Sequence, residues 1–174
     1  MRDKYLGDSY DLLKRTWAAT LRTIAPLFAH SFFVPGDIQA AYTGVTSIPF
    51  LLPNSEPSDR FGLLFDPDTG VPLPDGAHRG PTQAYAPIRF IAETYFQLRP
   101  TYLICFDQSY HRKHLLSRDE QRGRKLEALR SHGLVGFYYV SHAPFLFASS
   151  SQDSIECVRD ELLKLGIPSH RLQA

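Results

Sequence analysis

Apolar residues recur along this chain in two different rhythms. Over residues 7–25, GDSYDLLKRTWAATLRTIA, the residues Leu12, Leu13, Trp17, Leu21 and Ile24 fall at helical spacing. Asp8 or Ser9 stands where an N-cap belongs, with Asp11 in the first turn near the positive end of the helix dipole. Lys14, Arg15 and Arg22 are assigned to the other faces. FGLLF at 61–65 and TYLICF at 101–106 are short unbroken apolar runs, as expected of strands buried on both sides. LFAHSFFV at 27–34 reads as a further strand, stopped by Pro35 and Gly36. Residues 36–60 show little periodicity and read as irregular structure.

Residues 67–83, PDTGVPLPDGAHRGPTQ, form a long loop rich in Pro and Gly, of the kind that serves function or motion. Helices are expected over 86–100, 117–133 and 151–166. Between the last two, LVGFYYVSHAPFLFASS holds two aromatic strands around the turn SHAP, an antiparallel hairpin. Residues 167–172 read as a short extension or an edge strand. Helices alternating with buried strands predict a single α/β domain over 1–174, a sandwich around a mostly parallel sheet with the antiparallel hairpin near its C-terminus.

Composition narrows the function classes. The 174 residues carry a formal net charge of +1, so no global field draws nucleic acid or an anionic membrane to the chain. Twelve Phe and nine Tyr supply ample core. The first residues are polar and no apolar run approaches the eighteen or so needed to span a bilayer, which points to a cytoplasmic protein with no membrane partner. Cys105 and Cys157 leave a disulfide undecided.

Candidate chemistry gathers where strands end. Ligands of open α/β sheets bind beyond the carboxyl ends of the strands. Asp66 and Asp68 follow FGLLF, and Asp107 follows TYLICF. The pair Asp66 and Asp68 either holds a hard cation such as Mg²⁺ or caps the following turn through backbone N–H groups. Gly70 then allows close backbone approach. The one basic concentration, FDQSYHRKHLLSRDEQRGRK, includes Arg112, Lys113, Arg118 and Arg122, which either follow a nucleic-acid backbone or form a solvated helix face. His142 in SHAP is either a general base or a turn residue. The nucleophile elbow, the P-loop, GxGxxG and HExxH are all missing.

YLGDSYDLLKR, LLFDPDTGV and LICFDQSYHR together resemble a group of small bacterial and phage proteins. These carry a Gly-Asp-x-x-Asp…Lys helix and an apolar strand ending Asp-Pro-Asp-Asn/Thr-Gly, and they imply no particular activity. More remotely, the layout is similar to the Rossmann-like, S-adenosylmethionine-dependent methyltransferases that modify adenine in nucleic acids. That resemblance implies a three-layer sandwich, with a cofactor site drawn from Asp8, Gly36, Asp37 and Gly70. It also implies a base site in which Asp66 and Pro67 take the first two places of Asp-Pro-Pro-aromatic. Asp68 and Thr69 depart from the last two places, so the aromatic that stacks on a flipped base is not where the family has it.

The expectation is therefore a degenerate methyltransferase-like protein that acts on or binds nucleotides or nucleic acid. The alternatives are a Mg²⁺-dependent phosphohydrolase or nuclease using Asp66, Asp68 and Asp107, and a non-catalytic binding or assembly protein on the same scaffold.

Overall fold

Successive residues of the central strands face opposite sides of a sheet, and each side carries its own core. A computed structural model describes residues 6–51, 60–75, 80–110 and 115–174. Its helices are α1 (Ser9–Leu21), α2 (Gln39–Thr46), α3 (Ile88–Leu98), α4 (Arg118–Ser131) and α5 (Gln152–Lys164). Its strands are β1 (Leu27–Ala29), β2 (Gly62–Phe65), β3 (Tyr102–Phe106), β4 (Val135–Tyr139), β5 (Phe145–Ser149) and β6 (Leu172–Gln173).

The six strands form one sheet in the order β1-β2-β3-β5-β4-β6. β1, β2 and β3 pair in parallel. β5 runs against both β3 and β4, and β6 runs against β4. Four strands therefore point one way and two the other, in an α/β protein with the expected hairpin on one side.

Tyr102, Ile104 and Phe106 of β3 join Leu64, Phe145 and Phe147 in the core beneath α1, α2 and α5. Leu103 and Cys105 join Leu63, Phe65, Leu146 and Ala148 in the core beneath α3 and α4. Trp17, fully buried, meets Tyr139, Phe145 and Phe147 edge-on with ring centroids 5.1–6.1 Å apart.

Three expectations change. The strand over 27–34 ends at Ala29, because the His30 side chain accepts from Phe32 N and turns the chain into a short 3₁₀ segment. The stretch read as irregular contains α2, whose Tyr42 and Thr46 are buried and whose end is set by Ser47 at φ 59°. On α1, Leu12 is 57% exposed while Asp11 and Lys14 are buried on the same face as Trp17 and Leu21, so the helix turns one charged pair inward. Residues 167–172 lead into an edge strand. Among the described residues no helix is long and apolar enough to cross a membrane.

Glycine is required where Tyr102 crosses the sheet. A Cβ on Gly62 would lie 2.4 Å or less from two carbons of the Tyr102 ring, whose hydroxyl donates to Ala25 O at 2.9 Å. Gly62→Ala is expected to destabilise the fold by about 1–3 kcal/mol through overpacking. Denaturant unfolding checks this, with an unchanged m-value marking a loss of stability alone.

Candidate functional site

β2 and β3 each end on an aspartate, and the register decides where each carboxylate goes. Phe65 lies beside Cys105, so Asp66 continues the face of Leu64 while Asp107 continues that of Leu103 and Cys105. The two acids therefore point to opposite sides of the sheet, and each meets a lysine from a helix on its own side.

On the first side, Lys14 of α1 donates to Asp66 Oδ2 at 2.6 Å and to Asp11 Oδ1 at 2.8 Å. All three residues are at most 3% exposed. Burial alone would lower the Lys14 pKa, but the charges of Asp66 and Asp11 and their hydrogen bonds outweigh it and hold it above its ordinary value. The ammonium also sits 5.5 Å from the Tyr42 ring centroid and 5.9 Å from that of Phe106. The Tyr42 hydroxyl is buried beside Asp66; burial, then the charges of Asp66 and Asp11, push its pKa well up.

Above this cluster opens a cleft of about 240 Å³, lined among others by Asp8, Tyr10, Asp66, Asp68 and Gln108. Lys14, Pro67 and Phe106 complete its wall. Asp8 caps α1, accepting from Tyr10 N at 2.8 Å and Asp11 N at 3.2 Å. Gln108 Nε2 spans one rim, donating to Tyr10 OH at 2.6 Å and to His142 O at 3.0 Å. Tyr10 packs against Phe106 and the His142 ring at 5.4 and 5.8 Å. Three carboxylates face one ammonium here, so the cleft favours N–H donors and cations over phosphate.

On the other side Asp107 is enclosed. Its Oδ1 accepts from Val71 N and Ser109 N, both at 2.9 Å, and from Ser109 Oγ at 2.7 Å. Its Oδ2 accepts from Lys125 Nζ at 2.7 Å and Tyr138 OH at 2.8 Å. Asp107 thus clamps the loop after β2 and helix α4 to the end of β3. Gly70, at φ +129°, lies against this clamp: a Cβ there would approach Asp107 Cα to 2.5 Å. Its close backbone approach is to β3.

The sequence-derived candidates thus divide. Asp8, Asp66 and Asp68 share the cleft, whereas Asp107 and Gly70 belong to the clamp. Gly36 and Asp37 lie exposed before α2, where a Cβ on Gly36 would meet nothing within 4 Å. Arg118 stacks on Tyr110 at 3.9 Å and bonds its hydroxyl. Arg122 is held by Asp119 and Gln173. Arg112 and Lys113 lie outside the described residues. Cys105 and Cys157 are both free, the first buried and the second exposed. Among the described residues no three His, Cys, Asp or Glu side chains gather as metal ligands.

Sequence reasoning missed Lys14, Tyr10, Phe106 and Gln108. A usable signal existed for Lys14, which lies one helical turn from both Asp11 and Trp17. Comparisons with protein families, curated proteins and solved structures found no match for this chain.

Two outcomes follow from these buried charges. Lys125→Met leaves Asp107 buried without its counter-charge and is expected to cost roughly 3–5 kcal/mol in denaturant unfolding. Adding Asp107→Asn should then cost less than the two single effects summed.

The second outcome concerns alkaline pH. Burial, then the charges of Asp107 and Asp66, push the Cys105 thiol well above its ordinary 9.0, with Lys125 opposing. Burial and Asp107 likewise raise Tyr138 well above 10.0. Cys105, Tyr42, Tyr138 and Lys14 all hold their protons more tightly folded than unfolded. At alkaline pH the native state then holds more protons than the unfolded chain, so stability falls as pH rises. Unfolding midpoints should stay level through neutral pH and decline above about pH 9; Cys105→Ala should move the onset upward.

Proposed function

We propose that this is a nucleotide- or nucleic-acid-directed protein on a Rossmann-like, degenerate methyltransferase-like scaffold, whose cleft receives the amine-bearing edge of a base. The observation that carries the reading is Asp66. It stands at the carboxyl end of a buried parallel strand, neutralised on one oxygen by Lys14, on the wall of an acceptor-rich cleft. In that role Asp66 accepts an N–H from the bound base, and Lys14 fixes the carboxylate in place. Phe106 and Tyr10 supply the aromatic surface that Thr69 does not.

Other features point the same way. Three parallel strands with helices on both faces, followed by a reversed strand beside β3, support the α/β part of this reading. At 240 Å³ the cleft is smaller than the roughly 300–1,000 Å³ of pockets that take drug-sized ligands, and it suits one ring system. Its excess of carboxylates leaves any phosphate of the ligand outside.

S-Adenosylmethionine fits less well. After β1 the chain turns through His30 and two phenylalanines, and Gly36 forms no close-approach cradle. Base binding without methyl transfer is therefore the reading taken. The Mg²⁺ alternative is opposed by Lys14, whose ammonium already occupies Asp66 Oδ2.

Thermal unfolding with adenosine, S-adenosylmethionine and MgCl₂ tests the proposal. Adenosine is expected to raise the melting temperature and the others to leave it unchanged. A ligand at one hundred times its Kd adds about 2.7 kcal/mol. Asp66→Asn should abolish the adenosine shift, and the half-buried Asp68→Asn should weaken it. A shift with S-adenosylmethionine would instead argue for a working methyltransferase. A Mg²⁺ shift lost in Asp66→Asn would move the assignment to phosphoryl chemistry.

A further inference from the structure

The clamp around Asp107 holds the end of β3 still, and the residue that follows is fixed with it. Gln108 N donates to Thr69 O at 2.9 Å, which ties this backbone to the loop after β2. The Gln108 side chain leaves the clamp and lines the cleft. There Nε2 donates to Tyr10 OH at 2.6 Å and to His142 O at 3.0 Å, which uses both of its hydrogens. A backbone carbonyl can only accept, so the amide nitrogen must face His142 O and Oε1 must take the other position. Among the described residues Oε1 has no hydrogen-bond partner.

Gln108 therefore gives the cleft an acceptor whose direction is set by bonds to two separate elements, α1 and the turn between β4 and β5. Asp66 supplies a second acceptor in the same wall, held in place by Lys14. An exocyclic carbonyl oxygen set between Asp66 and Gln108 Oε1 would meet lone pairs on both sides. A primary amine in that position offers one hydrogen to each. Sites built to accept an N–H reject analogues that lack it, because their own polar groups are then left unpaired.

We propose that Gln108 is a specificity-determining residue of this cleft. Its Oε1 takes the second hydrogen of a primary exocyclic amine whose first hydrogen goes to Asp66. This rests on the base-binding reading of the cleft and narrows it to bases with an unsubstituted amine, such as adenine, against keto bases and N-methylated ones.

Isothermal titration calorimetry of the intact protein with adenosine, N6-methyladenosine and inosine tests this. N6-Methyladenosine, which keeps one N–H, is expected to bind about tenfold more weakly than adenosine, and inosine, which has no amine, about a hundredfold more weakly. Gln108→Met, confirmed folded by circular dichroism, keeps the length of the side chain and removes Oε1. It should narrow the adenosine-to-inosine ratio by about tenfold. Tyr10→Phe breaks one of the two Nε2 bonds but leaves Oε1 positioned by His142 O, and should keep the ratio. A ratio untouched by Gln108→Met would overturn the proposal. So would a ratio that falls equally in both variants, which would make Gln108 a prop for Tyr10. Inosine binding as tightly as adenosine would overturn it too, while leaving base binding standing. Failure of the wild-type protein to bind adenosine at all would remove both.

Discussion

The parallel register of β2 against β3 is the constraint from which the chemistry of this molecule follows. With Phe65 beside Cys105, Asp66 lies one residue beyond that pair and Asp107 two, so they fall on opposite faces of the sheet. Asp66 and Asp107 cannot share a ligand from those positions. Each must find a counter-charge on its own side, since a buried carboxylate without one is strongly destabilising. Lys14 meets the first need and Lys125 the second. Both lysines are nearly inaccessible, and both tie a helix to the mouth of the sheet.

The two pairs differ in what surrounds them. Around Asp107, backbone amides, Ser109 and Tyr138 saturate the carboxylate, and the result is a clamp that fixes the loop after β2. Around Asp66, Lys14 ties the carboxylate to Asp11 and the Tyr42 hydroxyl is buried beside it, and the cluster opens toward a cleft walled by further acceptors. One arrangement consumes its hydrogen-bonding capacity in holding the fold. The other keeps acceptor character beside an aromatic surface, which is the property the functional reading rests on.

Much of the scaffold was legible because burial writes periodicity into a chain. FGLLF and TYLICF are apolar throughout since both faces of their strands are covered, and helices lie on both sides of them. The aromatic hairpin was equally legible from its two runs about a short turn. α2 was not, because Thr43, Gly44, Val45 and Thr46 are weak helix formers; the helix depends on burying Tyr42 against the sheet. The strand after α1 was overread, since its aromatic run continues into a 3₁₀ turn with no change in hydrophobicity.

The strand-end positions of Asp66 and Asp107 were legible, but not the partners they meet. Local sequence determined that strands end on Asp66 and Asp107, that Asp8 or Ser9 caps α1, and that Gly70 allows a close backbone approach, because propensities and turn chemistry act over a few residues. Only the tertiary structure decided that Lys14 turns inward, that Asp107 is enclosed and that Gln108 reaches Tyr10. Those choices depend on partners 52, 18 and 98 residues apart. Whether a charged residue lies in solvent or in the core depends on a counter-charge that the fold alone brings within reach.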